Sequence, residues 1–164
     1  MKNIKTFLLL AVSVLAGSSI IKAQNKKPDE VKTMIESRNY IFKAQTANPQ
    51  NSVSRQLTSE YDLSISRDTI ISYLPYFGRA YAAPVDPSEG GIKFTSTKFE
   101  YNPVKDEKRW QITIRPKDAP EVQQLFLEVF DNGTATLQVI STNRQGISFN
   151  GYVEQAKTKG KKAF

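Results

Sequence analysis

The stretch QLFLEVFDNGTATLQVIS, residues 124–141, predicts two antiparallel strands joined by a tight turn. In its first half Leu125, Leu127 and Val129 share one face, because successive side chains of a strand point to opposite sides. The tripeptide Asp-Asn-Gly then separates two apolar segments. Asn and Gly tolerate the positive φ angles that a hairpin turn needs. We therefore predict a β-hairpin here and an antiparallel sheet around it.

Segments with a similar alternation lie on both sides of this hairpin. They are YIFKAQTA from residue 40, YDLSIS from 61, IISYL from 70, IKF from 92, TKFEY from 97 and RWQITIR from 109, followed after the hairpin by GISF and YVE on either side of Asn150-Gly151. The polar segment NPVKDEK, residues 102–108, is interpreted as a turn. Short connections between roughly eight or nine strands are typical of an antiparallel meander.

The absence of a long helix between these segments argues against a parallel βαβ sheet. We predict a mainly β fold: an antiparallel up-and-down barrel of the lipocalin-like type or a curled sheet, with a short N-terminal helix. A β-sandwich is the alternative. Large side chains with inward phase predict that the interior is filled rather than hollow. They include Phe99, Tyr101, Trp110 and Phe149.

The N-terminal helix is predicted from KKPDEVKTMIESRN, residues 26–39. Its apolar stripe is Val31, Met34 and Ile35. Phe126 and Phe130 lie on the outer face of their strand, away from the predicted core. Ile140, on the next strand, is also out of phase with the inward residues. Burial of one such side chain is worth about 1.5–3 kcal/mol. We therefore expect the helix to cover this outer patch.

The two ends of the sequence carry segments that we interpret separately from the domain. Residues 1–23 begin with lysines, continue with a short apolar run and end in small residues, an order typical of a secretory signal peptide cleaved after Ala23. Residues 24–154 form the predicted single β domain, and residues 155–164 form a basic flexible tail. The expected location is the periplasm or outside the cell, with no transmembrane segment in the mature chain.

The charge of the sequence is concentrated at these ends. The chain carries 23 Lys and Arg against 16 Asp and Glu, a net charge of +7. All of this excess comes from three lysines in the signal segment and four in the tail, so the domain between them is neutral. A nucleic-acid-binding domain needs a basic patch on its folded surface, and we therefore predict no nucleic-acid partner.

Several kinds of chemistry are missing from the sequence. The chain contains no His and no Cys, which excludes Ser-His-Asp and Cys-His nucleophilic sites, disulfides, a lipid anchor on cysteine and the usual zinc sites. We predict no metal, no cofactor and no enzymatic activity. The alternative is a glycan hydrolase that uses two carboxylates. Its candidate acids are Asp62, Asp68, Asp86 and Glu89.

The richest candidate site is the segment YLPYFGRAY, residues 73–81. Its aromatic side chains and arginine could hold a ligand carboxylate or phosphate, with aromatic rings stacked on the ligand body. Alternatively, the segment closes one end of the barrel and its arginine bonds backbone carbonyls or a nearby acid. A second basic segment follows at residues 143–145, where the arginine is either a partner to the first loop or, as we favour, a lone surface residue. The candidate binding residues are Tyr73, Tyr76, Phe77, Arg79, Tyr81 and Arg144.

Three segments carry a family resemblance: YLPYFGRAY, GGIKFTSTKFEY and NRQGISFNGY. They resemble the domain of unknown function 4251 family of small exported Bacteroidetes proteins, and the resemblance covers nearly all of the chain after the signal segment. It implies a mostly β, lipocalin-like domain in the periplasm or outside the cell. It supplies no catalytic residue. We therefore expect a non-enzymatic binding or interaction domain for a protein, peptide or glycan of the envelope; the alternatives are the hydrolase and a purely structural envelope protein.

Overall fold

The computed structural model of the chain describes residues 26–81 and 90–156. The signal segment, Asp86, Glu89 and residues 157–164 of the predicted tail lie outside the described residues. The described chain folds into one helix and nine strands. They are α1 (Pro28–Ser37), β1 (Tyr40–Pro49), β2 (Arg55–Ile65), β3 (Ile70–Leu74), β4 (Ile92–Ser96), β5 (Phe99–Asp106), β6 (Arg109–Pro116), β7 (Val122–Phe130), β8 (Thr134–Ser141) and β9 (Ile147–Gln155).

The nine strands form a single antiparallel sheet in the order β4-β3-β2-β1-β9-β8-β7-β6-β5. Strands β1–β4 make one meander, β5–β9 make a second, and the pairing of β1 with β9 joins them. The sheet curls into a nearly closed barrel, which confirms the predicted fold class. Among the described residues, no helix has the length and apolarity to cross a membrane.

The barrel stays open along one line, which we call the seam, between the edge strands β4 and β5. In an antiparallel sheet with an odd number of strands, the two edge strands run in the same direction. Parallel neighbours need a crossover connection of about a dozen residues or more, whereas β4 ends at Ser96 and β5 begins at Phe99. The two edges are therefore linked through Thr97 and Lys98 and are not paired by a ladder.

Buried side chains from all nine strands and the helix form one contiguous core. The predicted inward faces are confirmed on β1, β6 and β7, where alternate residues are buried. The largest fully buried side chains include Tyr40, Phe42, Phe149, Leu63, Ile112 and Leu127. The interior is thus filled by the chain's own side chains, as their size and phase predicted.

Helix α1 lies across one end of the barrel, which we call the helix end. Its start is held by the backbone N–H of Lys26, which donates to Asn132 in the β7–β8 turn at 3.1 Å. In its last turn the carbonyl of Ser37 accepts a hydrogen bond (3.3 Å) from Nε of Arg67, which lies in the β2–β3 turn. The hairpins it touches are on different parts of the sheet, so the helix bridges the opening.

The prediction that α1 covers the outer face is wrong. Its stripe of Val31, Met34 and Ile35 is buried in the barrel core. Phe130 and Ile140 both remain 37% exposed. Chain connectivity is the physical reason: only two residues separate α1 from β1, so the helix must stay at the end where β1 begins.

Two strand boundaries differ from prediction. Of the segment predicted as a turn, residues 102–106 belong to β5, and only Glu107 and Lys108 form the turn. Pro103 is tolerated there because β5 is an edge strand with β6 as its partner. The dipeptide Asn150-Gly151 lies inside β9 and does not turn. A bulge in β1 brings its backbone so close that a Cβ at Gly151 would lie 1.9 Å from the carbonyl oxygen of Lys43.

Candidate binding site at the barrel seam

The aromatic segment leaves β3 at the end of the barrel opposite α1, which we call the loop end. It docks on the β8–β9 connection through backbone hydrogen bonds: Tyr81 N–H donates to Asn143 (2.9 Å) and Gln145 N–H donates to Arg79 (3.0 Å). Ala80 and Arg144 form a short antiparallel bridge between these contacts. The segment therefore closes the loop end, as the structural interpretation expects.

Tyr76 holds this connection from within. Its hydroxyl lies 2.8 Å from the carbonyl oxygen of Arg79 and 3.0 Å from that of Gln145, so it can donate to either. Burial raises the pKa of the Tyr76 phenol, which is protonated at neutral pH and can donate. The ring folds back over Gly78, where a Cβ would lie 2.5 Å from the Tyr76 hydroxyl oxygen. A side chain at position 78 would displace the ring.

The two candidate arginines occupy different environments. Arg79 is exposed, and within residues 26–81 and 90–156 its side chain makes no hydrogen bond or ion pair. The Arg144 side chain is only 13% exposed and lies 3.4 Å from the carboxylate of Glu121. Its Nη1 donates to the carbonyl of Gly91 at 2.6 Å, and its guanidinium lies 5.3 Å from the centre of the Tyr76 ring. The expectation of a lone surface arginine at position 144 is wrong.

The remaining candidate residues are dispersed. Tyr73 lies on the outer face of β3 and is 48% exposed, while Tyr81 is exposed at the loop end. Phe77 packs under the guanidinium of Arg55, which lies 4.9 Å from the ring centre. Of the six predicted binding residues, the structure brings Tyr76 and Arg144 into contact and disperses the other four over the loop end and the outer face of β3.

A cleft of about 260 Å³ opens beside Arg144, between the edge of β4 and the connection from β6 to β7. Ile92 and Phe94 form one apolar wall, and Ala119 and Val122 form part of the other. The charged side chains at its rim are Lys93, Asp118, Glu121 and Arg144. The cleft lies along the unpaired edge of β4, on one side of the seam, and we call it the seam cleft.

Both ends of the seam cleft are held by side chains. At one end Arg144 binds the backbone of Gly91, just before β4. At the other, the carboxylate of Asp118 accepts hydrogen bonds from Ser96 Oγ, from the backbone N–H of Thr97 (2.9 Å) and from that of Lys98 (3.2 Å). These hydrogen bonds lower the pKa of Asp118 to about 2, and the bond from Ser96 has the largest effect. The cleft is thus a formed feature of the folded chain.

Sequence reasoning did not identify the acids of this cleft. Asp118 and Glu121 lie in PKDAPEVQQ, which carries no motif. The signal that could have found the cleft is the strand count, because a ninth strand in an antiparallel meander leaves the two edges parallel and unpaired.

The acids proposed for a hydrolase have structural partners where the structure describes them. Asp62 forms an ion pair with Lys43 at 3.0 Å. Asp68 accepts hydrogen bonds from Ser66 (2.9 Å) and Thr69 (3.2 Å) in the β2–β3 turn, and these lower its pKa. The described part of the chain contains no cluster of three or more Asp or Glu residues that could hold a metal ion.

Residues 22–153 match the family model of DUF4251, described as a domain of unknown function. The chain belongs to the DUF4251 family. The crystal structure of a DUF4251 family protein from Bacteroides eggerthii is similar, with a TM-score of 0.56 and 12% identity over 78% of this chain and 87% of that chain. At this identity the likeness bears on the fold, and the predicted family is confirmed. No curated protein matches the sequence.

Proposed function

We propose that this DUF4251 chain is an exported, non-catalytic binding domain of the cell envelope, and that its ligand occupies the seam cleft. The observation that supports this most directly is Arg144. A guanidinium that is mostly buried, fixed by a backbone carbonyl and an aromatic ring, is positioned before any ligand arrives, which lowers the entropic cost of binding.

The chemistry of the cleft favours a ligand with a carboxylate and a small apolar body, such as the end of a peptide. Arg144 supplies a cationic donor at the rim, and Phe94 with Ile92 supplies an apolar wall. This arrangement follows the anion-binding hypothesis made for the aromatic segment, with Arg144 in the role assigned to Arg79.

Cross-linking in the native host tests this site. A photoreactive phenylalanine analogue replaces Phe94 in the cleft or, as the matched control, Phe130, which is exposed at the end of β7 and does not line the cleft. We expect a discrete adduct from position 94 that is absent from position 130. Arg144→Lys keeps the charge but loses the fixed planar contact, and it should weaken the adduct about tenfold or more. Equal labelling at both positions, or none at position 94, would contradict the proposal.

Export is tested separately by the mass of the protein recovered from the host. The signal interpretation expects a mature chain that begins at or within a few residues of Gln24 in the periplasmic or secreted fraction. Recovery of the full-length chain from the cytoplasm would contradict export without affecting the cleft.

A further inference from the structure

We propose that the outer face of the barrel carries a second site, a shallow groove that binds a neutral saccharide. The groove lies over β2, β1 and β9 and has a volume of about 360 Å³, within the range of small-molecule sites. It is distinct from the seam cleft and shares no lining residue with it. The charged, amide and aromatic side chains that line it are Lys43, Gln45, Glu60, Tyr61, Tyr152 and Glu154.

Strand register builds this groove. Lys43 pairs across the sheet with Asp62 on one side and Tyr152 on the other, so the three side chains form one outward row. The bulge between Ala44 and Thr46 interrupts both neighbouring ladders at the same place. A bulge bends its strand and increases the local twist. The outer surface of the barrel is therefore irregular here, where a regular barrel would be convex.

Aromatic rings supply a platform next to the groove. Tyr61 stacks on Tyr73 with ring centres 5.7 Å apart and an interplanar angle of 19°. Lys93 lies 5.0 Å from the centre of the Tyr73 ring. Tyr61 is partly buried against the core and stacked on Tyr73, which together fix its ring, while Tyr152 lines the groove from β9. Rigid aromatic faces present apolar area to the C–H face of a sugar and phenol hydroxyls to its edge.

The polar groups of the groove match hydroxyls better than ions. The carboxylates of Glu60 and Glu154 accept hydrogen bonds, Lys43 donates, and Gln45 does both. A sugar hydroxyl is also both donor and acceptor, so neighbouring hydroxyls can use both kinds of group. Two carboxylates against one ammonium disfavour an anionic ligand. The ammonium of Lys43 pairs with Asp62 at 3.0 Å and Glu60 at 3.4 Å, which offsets part of the negative charge that would attract a cation.

Affinity electrophoresis of the full mature chain tests this proposal. Native gels contain dextran, laminarin or galactomannan as neutral polysaccharides, or polygalacturonate as an anionic one. We expect at least one neutral polysaccharide to retard the protein and polygalacturonate to have no effect. Tyr152→Ala and Glu154→Gln should each weaken the retardation about tenfold. Glu154→Gln preserves shape, so its effect is separable from misfolding.

Two controls separate this site from others. Tyr81→Ala removes an exposed tyrosine at the loop end and should leave retardation unchanged. Arg144→Lys, which tests the seam cleft, should also leave it unchanged, so the two proposals can fail independently. The groove proposal is overturned if no neutral polysaccharide retards the protein, if Tyr152→Ala and Glu154→Gln migrate like the parent, or if spermine displaces the bound polysaccharide at low ionic strength.

Discussion

The two ends of the barrel are closed by different means. At the helix end, apolar side chains of α1 enter the core, and Tyr101 donates to the carbonyl of Ile35 from inside (3.2 Å). At the loop end, closure depends on backbone bridges, on Tyr76 and on Arg144. The first end resembles a domain interior. The second keeps polar groups and a cleft at the surface, and it is there that ligand binding is proposed.

The largest effect is expected at the helix end. Ile35→Ala removes a fully buried side chain from the core and should lower the free energy of unfolding by about 2–5 kcal/mol. Urea denaturation followed by circular dichroism measures this. Ile71→Ala, on a half-exposed isoleucine of β3, is the matched control and should cost far less. Equal losses would mean that α1 is only loosely docked.

The next effect is expected at Arg144. Arg144→Ala removes the hydrogen bond to Gly91, the contact with the Tyr76 ring and the ion pair with Glu121, and should cost about 1–3 kcal/mol. Arg79→Ala, on the exposed arginine of the same end, should change stability by less than about 0.5 kcal/mol. If Arg79→Ala destabilised the protein more than Arg144→Ala, then Arg79 and not Arg144 would be the arginine that stabilises the loop end.

A smaller and local effect is expected from Tyr76→Phe. The change removes only the hydroxyl and should cost about 1 kcal/mol. Because the loop end is closed by few bonds, amide hydrogen exchange should accelerate at Tyr81 and Gln145, whose N–H groups form the backbone bridges. The helix end should exchange as in the parent. A uniform acceleration over the whole barrel would contradict the independence of the two ends.

The seam predicts a pH dependence. Hydrogen bonds lower the pKa of Asp118 to about 2, so the unfolded chain takes up the proton first as the pH falls. The stabilisation is fully present above the ordinary carboxyl pKa, about 4, and is lost as the pH falls through about 2. Asp118→Asn cannot titrate, and its denaturation midpoint should fall less steeply between pH 4 and about 2 than that of the parent. If the denaturation midpoints of Asp118→Asn and the parent fell equally with pH, the proposed contribution of the Asp118 carboxylate to stability would be contradicted.

Much of the fold followed from local patterns. Alternation set the inward faces of β1, β6 and β7, and the Asp-Asn-Gly turn set the β7–β8 hairpin, since both depend on neighbours in sequence. The position of α1 could not be predicted from such patterns. An apolar stripe indicates that one face of a helix is buried, but it does not indicate which surface covers that face. Pairing partners such as β1 and β9 are likewise a property of the whole sheet.

The candidate site was harder to predict. The aromatic segment lies at the end of the barrel where we propose that the ligand binds, but the arginine that faces the seam cleft lies on the β8–β9 connection, far away in sequence. Composition identifies residues able to bind a ligand, whereas burial decides which of them are fixed. Arg79 and Arg144 have the same side chain and differ only in the residues that the fold packs around them.

The order of the strands also bears on how the chain reaches this structure. Each meander consists of hairpins between sequence neighbours, so both can form through local contacts, whereas joining β1 to β9 requires closing a long loop. Before that step β1 and β9 are open edges that carry Phe42 and Phe149. Open apolar edges favour pairing with another chain. Exchange of meanders between two copies, giving a domain-swapped dimer, is therefore the misassembly to which this topology is most exposed.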